Sequence, residues 1–427
     1  MILMIENNFY VYHTARMSEG LSQLGSSPGN CNFSPTKNKT GLCGQIVGEG
    51  IYEMGMRKKT LGLTYENRKS NEKVVRKFVP ISLALSSIGY SDKETIERLI
   101  EFYADDDSEV RRVALISLGL ATLGNPNREV ELVYDNAIED KNWRIRAAAG
   151  LGYSLTRISD PLHFDRFVEM LDQEKDPYVK VCSCWYISLS HAMTKKGQNR
   201  FIELFETGDS FFRDMSCLGL GFSFLGTGNE DVSDFLVRAT TDEHPYVRES
   251  AHLSLGLTHL GRSATHIEET MDSGLNDISD VTRSGASLGM GLLNYKNKEK
   301  EFNIGSCDDP SVVWGLHLSQ GLANPNVETE YSKHRNPYIR WGCRLKELFS
   351  NSPEKIQPNG SLSSIDEFQS NVNLGMKYSS IQKETVDNLK LIYPGMMYYL
   401  TYESFWWGLW MLNGLGCALM NETKRSD

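Results

Sequence analysis

Residues Val247–Gly261 read VRESAHLSLGLTHLG. The stretch follows His244-Pro245-Tyr246, and Pro suits the first position of a helix, where its missing N–H would have no partner. A basic anchor, Arg248, stands in the first turn. The run that follows is mostly apolar or small, interrupted by Glu249, His252 and His259, and closes on Leu260-Gly261, a helix-ending pair because Gly accepts the left-handed backbone of a C-terminal cap. Gly256 lies mid-run, where Gly costs about 1 kcal/mol against Ala. The same register returns in Val110–Gly124 (VRRVALISLGLATLG) and in Leu218–Gly228 (LGLGFSFLGTG).

Working outward, the anchor recurs at Arg76, Arg111, Arg146, Lys180, Arg213, Arg248, Arg283, Val313 and Arg340, with spacings of 35, 35, 34, 33, 35, 35, 30 and 27. Three places past it stand Val79, Ala114, Ala149, Ser183, Ser216, Ala251, Ala286, Leu316 and Cys343. Eight places past it stand Ala84, Gly119, Ser154, Ser188, Gly221, Gly256, Gly291, Gly321 and Leu348. A helix-destabilising small residue repeated at one register predicts close approach of neighbouring backbones there. Asp176-Pro177, His244-Pro245, Asp309-Pro310 and Asn336-Pro337 predict starts of the second helix of each unit. Turns such as Asn125-Pro126-Asn127 and Thr227-Gly228-Asn229 lead to amphipathic helices such as Glu230–Thr240. One hairpin cannot bury its own apolar face, so the copies must stack. The expected fold is all-α: an α-solenoid of about nine to eleven HEAT-like helical hairpins, an open curve or a closed ring. Ankyrin and tetratricopeptide signatures are absent.

These small-residue runs, with their terminal Leu-Gly, resemble proteasome/cyclosome repeats, and Val47–Leu61 (VGEGIYEMGMRKKTL) resembles an early unit of the same kind. Such repeats occur in the large non-ATPase scaffold subunits of the proteasome regulatory particle and in the largest anaphase-promoting-complex subunit. The resemblance covers roughly residues 40–320. It implies a scaffold for protein partners, proteasome or ATPase components among them, and carries over no contact residue. The flanking regions of those subunits are missing, and the Asp-Pro-x-Val-Arg start is shared with HEAT repeats in general, including those of bilin lyases.

Composition narrows the function. The 427 residues carry 45 Lys plus Arg against 55 Asp plus Glu, a net charge of −10. That balance offers no basic face for phosphates, so no nucleic-acid partner is expected. Eight cysteines without a CxxC imply neither a disulfide framework nor a zinc ribbon. The expected location is cytoplasmic.

Several clusters of residues could carry chemistry. His244, His252, His259 and His266 fall within a short span, but no His-Glu-x-x-His and no His-Glu dipeptide of the di-iron hydroxylase kind accompanies them, so packing is expected. Cys182 and Cys184 point about 200° apart on a helix and cannot share an ion; with Cys217 and Cys343 they read as core residues. The anchor arginines sit where the helix dipole disfavours a cation. Acidic residues stand just upstream (Asp105–Asp107, Glu139-Asp140, Asp242-Glu243), and a structural ladder of Asp/Glu–Arg contacts between neighbouring units would offset that. Asp105–Asp107 otherwise reads as a solvated turn. Gly219-Leu220-Gly221 and Gly289-Met290-Gly291 lie mid-helix and are no phosphate loops. No nucleophile stands at a recognisable spacing from a base. The chain is therefore expected not to be an enzyme, with no catalytic, cofactor or metal residues. A HEAT-repeat enzyme, a bilin lyase or metal-dependent hydroxylase, is the alternative.

The expected organisation is an N-terminal cap or partial repeat (1–40), the repeat solenoid (41–350), a polar linker (351–390) and an aromatic-rich helical segment (391–427). Within the last, residues 404–420 (SFWWGLWMLNGLGCALM) carry no charge over seventeen positions, the lower limit for a bilayer span. Glu403, Asn413 and the glycines favour a buried cap over a membrane anchor or membrane-tethered adaptor.

Overall fold

The computed structural model describes residues 39–53, 62–87, 90–157, 162–191, 193–295, 297–302, 304 and 309–324. The anchor Arg340, Asn336-Pro337, Cys343, the 351–390 linker and the 391–427 segment lie outside them. Among the described residues every regular element is a helix. They fall into two units, one holding residues 39–190 and the other residues 191–324.

The first unit contains α1 (Lys39–Tyr52), α2 (Gly62–Asn67), α3 (Lys73–Arg76), α4 (Val79–Ser86), α5 (Lys93–Tyr103), α6 (Ser108–Ala121), α7 (Arg128–Ala137), α8 (Trp143–Thr156), α9 (Phe164–Gln173) and α10 (Pro177–Ser190). The second contains α11 (Lys195–Thr207), α12 (Ser210–Ser223), α13 (Glu230–Ala239), α14 (Pro245–Thr258), α15 (Thr265–Leu275), α16 (Asp280–Leu293) and α17 (Pro310–Ala323). Both units are stacks of helical hairpins. Outer helices α5, α7, α9, α11, α13 and α15 alternate with inner helices α6, α8, α10, α12, α14 and α16.

The two kinds form for different reasons. An outer helix is one-sided: α9 buries Phe164, Phe167 and Leu171, at i, i+3 and i+7, and leaves Asp165, Glu169 and Gln173 outside. An inner helix is surrounded: α8 buries Ile145 and then every residue from Ala147 to Thr156. Inner helices pack on the preceding and following inner helix within a unit, α6 on α8, α8 on α10, α12 on α14 and α14 on α16. Fully buried leucines such as Leu118 and Leu255 contribute about 1.5–3 kcal/mol each.

The small-residue register is what lets inner helices touch. A Cβ on Gly119 would lie 2.8 Å from Gly152 Cα, and one on Gly256 would lie 2.5 Å from the Gly289 carbonyl oxygen. Gly221 and Gly291 are buried at the same register against Ser254 and Ser319.

Starts and stops are equally local. Asp107, Asn127, Asp209 and Asn229 cap α6, α7, α12 and α13 by accepting N–H bonds from the first turn. Asp176 does the same for Tyr178 and Val179, whereas His244 precedes α14 without a side-chain cap. At the far end, Gly124, Gly226 and Gly261 adopt φ of 62°, 67° and 68°. Their N–H groups donate to the carbonyls of Leu155, Leu257 and Leu292 in the next hairpin, at 3.0, 2.9 and 3.0 Å. Ser91 and Met193 stand in the same place with φ of 50° and 60° and bond Ala121 and Ser223. At these five junctions one hairpin is thus stitched to the next through the backbone.

Candidate functional site

The anchor arginines do not form an anion stripe. Arg248 donates through Nε and Nη2 to Asp277, both at 2.8 Å, and through Nη1 to the Asp242 carbonyl at 2.9 Å. Arg213 grips Asp242 at 2.8 and 3.0 Å. Arg283 reaches Asp309 at 2.6 Å and the Asp277 carbonyl at 2.7 Å. In the first unit Arg76 pairs with Asp105 and Arg146 with Glu174 in the same bidentate way. Asp105, Asp242 and Asp277 also accept the N–H two residues on. Three observations differ from expectation. Arg111 donates to the carbonyls of Asp105 and Asp106, while Glu139 turns to Arg166. Asp105–Asp107 is not a solvated turn as a whole: Asp105 belongs to the ladder and Asp107 caps α6, while the exposed Asp106 accepts from Nη2 of Arg76 at 3.1 Å.

The histidines are packed apart. His252 is buried, with Nδ1 2.7 Å from the Arg248 carbonyl and its ring against the bare face of Gly274. Burial lowers its pKa. His259 Nε2 lies 2.7 Å from Ser233 Oγ. This buried Ser–His pair was not visible in the sequence, since 26 residues separate its members. Ser233 Oγ already donates its one proton to the Asn229 carbonyl at 2.7 Å. It therefore accepts from Nε2, and His259 is not placed to take a proton from it. His266 meets the His259 ring edge-on at 6.5 Å, and His244 stacks on Tyr246. Among the described residues no three His, Cys, Asp or Glu side chains converge as an ion site. Cys182, Cys184 and Cys217 are buried, and burial raises the Cys217 thiol well above its ordinary value. Gly219 lies mid-helix, where its missing side chain admits the Phe201 ring.

Among the described residues a broad, open recess lies in the first unit, where the turn before α8 faces the turn before α10. It encloses about 820 Å³. Ile138, Trp143 and Met170 supply apolar surface, and Lys141, Arg166, Glu169, Glu174 and Lys175 supply both signs of charge. Trp143 is fixed at its rim by stacking on Tyr178, ring centroids 5.0 Å apart at 18°, with the Arg144 guanidinium 4.7 Å from its centroid. Arg166 is steered by Asp135 at 2.6 Å. A half-buried Trp and Met beside fixed charges suit a peptide segment more than a compact metabolite. The sequence hinted at it only through an aromatic, Trp143, in the first turn of an inner helix.

The array is one of stacked helical hairpins. No family model matches the chain, and no curated protein matches it. Among solved structures it is similar to YibA of E. coli, at 16% identity and TM-score 0.36, over 74% of this chain and 99% of that one. It is similar to human deoxyhypusine hydroxylase in complex with glycerol, at 14% and 0.28, over 66% and 96%. The third is the complex of CpcE and CpcF of phycocyanin lyase from Nostoc, at 13% and 0.38, over 69% and 98%. The expectation that the chain is not an enzyme is withdrawn: of the proteins it is similar to, one is by name a hydroxylase and one a lyase. Among the described residues no helix is long and apolar enough to cross a membrane; residues 404–420 lie outside them.

Proposed function

We propose that the protein is a helical-repeat scaffold that holds a protein partner, with the 138–177 recess as a principal contact. The observation that carries this reading is the pairing, in one recess, of a stacked Trp143 with Met170 and charges held by internal ion pairs. Aromatic anchors bordered by oriented polar groups are where binding energy concentrates. A place in a proteasome-like or protein-quality-control assembly in the cytoplasm belongs to the same proposal, supported by the small-residue pattern of the inner helices.

The test is site-specific photocrosslinking in the native cell, with the reactive group at Lys141. A defined partner is expected, lost on Trp143→Ala and on Arg166→Glu while the thermal unfolding midpoint holds. Crosslinking that is indifferent to both substitutions would remove the recess from the function. Proteasome components in the crosslinked product would support the assembly named above, and their consistent absence would reject it.

A further inference from the structure

In the second unit, Leu218, Leu253 and Leu288 stand five places past their anchors, with Phe222, Leu257 and Leu292 one turn on. Contacts fix where this row points. On α14, His252 lies against Gly274 of the outer helix α15, Ser254 against Gly221 of α12, and Gly256 against Gly289 of α16. Leu253 and Leu257 occupy the remaining side, away from the outer helices. Leu218, Phe222 and Leu257 are buried by their neighbours, while Leu253, Leu288 and Leu292 are half-buried.

One turn before the row come Asp214 and Glu249, joined by Asp280 from the start of α16. Asp214 accepts from Ser250. Glu249 packs its Cγ where a side chain on Gly285 would stand, 2.7 Å from that Cβ position. No Lys or Arg among the described residues pairs with it. Burial, then Asp214 and Asp280, push the Glu249 carboxyl up to about 8. The apolar row therefore ends at an acidic cluster in which an incoming cation would favour the charged form of Glu249.

We propose that this row docks an amphipathic helix of a partner protein whose leucine-type side chains are bordered by lysine or arginine. The apolar side chains meet Leu253, Leu288 and Leu292; the cations meet Asp214, Glu249 and Asp280. Three inner helices spaced about 9 Å apart span roughly 20 Å, close to four turns of such a helix. The inference rests on the scaffold reading but uses a surface separate from the 138–177 recess, so the two can fail independently.

The probe is a fluorescent helical peptide of about 18 residues, with leucines along one face and lysines at its border. Anisotropy with the full chain is expected to show binding that weakens about tenfold when the lysines become glutamates. Glu249→Lys is expected to reverse that preference. Leu253→Arg is expected to abolish binding, and Trp143→Ala to leave it unchanged. Should Leu253→Arg fail to fold, Glu249→Gln serves instead, weakening the lysine peptide but not an all-leucine, uncharged one. Carbodiimide coupling should join the peptide lysines to Glu249, Asp214 or Asp280. Equal binding of the two charged peptides overturns the proposal. So does an unchanged preference in Glu249→Lys, or coupling of Glu249 to a lysine of the same chain or of a second copy in place of the peptide.

Discussion

Arg248 and Asp277 are separated by 29 residues and joined by two hydrogen bonds of 2.8 Å, and the Asp277 carbonyl in turn receives Arg283. One residue therefore serves two anchors, its side chain taking the arginine before it and its backbone the arginine after it. Asp242 does the same between Arg213 and Arg248. The ladder is continuous from Arg213 to Asp309, and it places each inner helix on the next.

Removing one partner leaves the other charge partly buried and unpaired. Asp277→Ala is expected to lower stability by about 2 kcal/mol, and Arg248→Ala by a similar amount. The double substitution should cost less than the sum, because the two share one interaction. Urea unfolding of the three variants measures this; additive losses would show that the pair contributes nothing of its own.

The ladder also predicts acid lability. Burial alone would raise the Asp105 carboxyl, but Arg76 and the N–H of Asp107 hold it down to about 2. Arg248 likewise lowers Asp277. A carboxylate whose folded pKa is depressed stabilises above its unfolded value, near 3.9, and loses that contribution as pH falls through the folded value. Stability should therefore drop between about pH 4 and pH 2, and Asp105→Asn should shrink the drop. A pH titration of the unfolding midpoint decides.

Glu249 carries the opposite sign. Its carboxyl is raised to about 8 by burial and by Asp214 and Asp280. Its protonation stabilises the fold fully below its unfolded value, near 4.3, and that contribution is lost as pH rises through 8. Glu249→Gln should be more stable than the parent at pH 9 and nearly equal to it at pH 4. A constant difference across that range would contradict the environment described.

Glycine at the helix contact is required by space. Gly256→Ala places a methyl 2.5 Å from the Gly289 carbonyl oxygen. It should destabilise by about 1–3 kcal/mol despite the better helix propensity of Ala. Gly62→Ala, whose Cβ meets nothing nearer than 3.6 Å, should not. Comparing the two melting points is sufficient.

Met193 offers a gain. It is 65% exposed and holds φ of 60°, where its counterparts Gly226 and Gly261 stand. Met193→Gly should raise stability by about 0.5–1 kcal/mol, since a side chain in the left-handed region costs about 1–2 kcal/mol. A lowered denaturant midpoint would mean that the side chain packs better than its exposure indicates.

The architecture was legible because its causes are local. The Leu-Gly endings, the capping Asp and Asn residues and the small-residue register each act within one or two turns, so they read directly from Val247–Gly261 and its copies. The ladder was half legible: Asp105 and Asp242 stand upstream of an anchor as expected, while Glu174 and Asp277 were not singled out and Glu139 found a nearer guanidinium. The recess and the Ser233–His259 bond were hidden because both join residues of different helices. No spacing rule connects Trp143 with Met170, or an outer-helix serine with an inner-helix histidine 26 positions away.

The bond from Gly226 to Leu257 is repeated thirty-five positions later by Gly261 and Leu292. The upper rim of one hairpin thus offers the donor that the lower rim of any other accepts. Excising a whole period would bring together ends of matching chemistry, whereas a cut of half that length would strand a donor on one side and an acceptor on the other. Lengthening or shortening such a protein by complete copies leaves every joint intact, which makes the thirty-five-residue module, rather than the single helix, the unit in which this chain can change size.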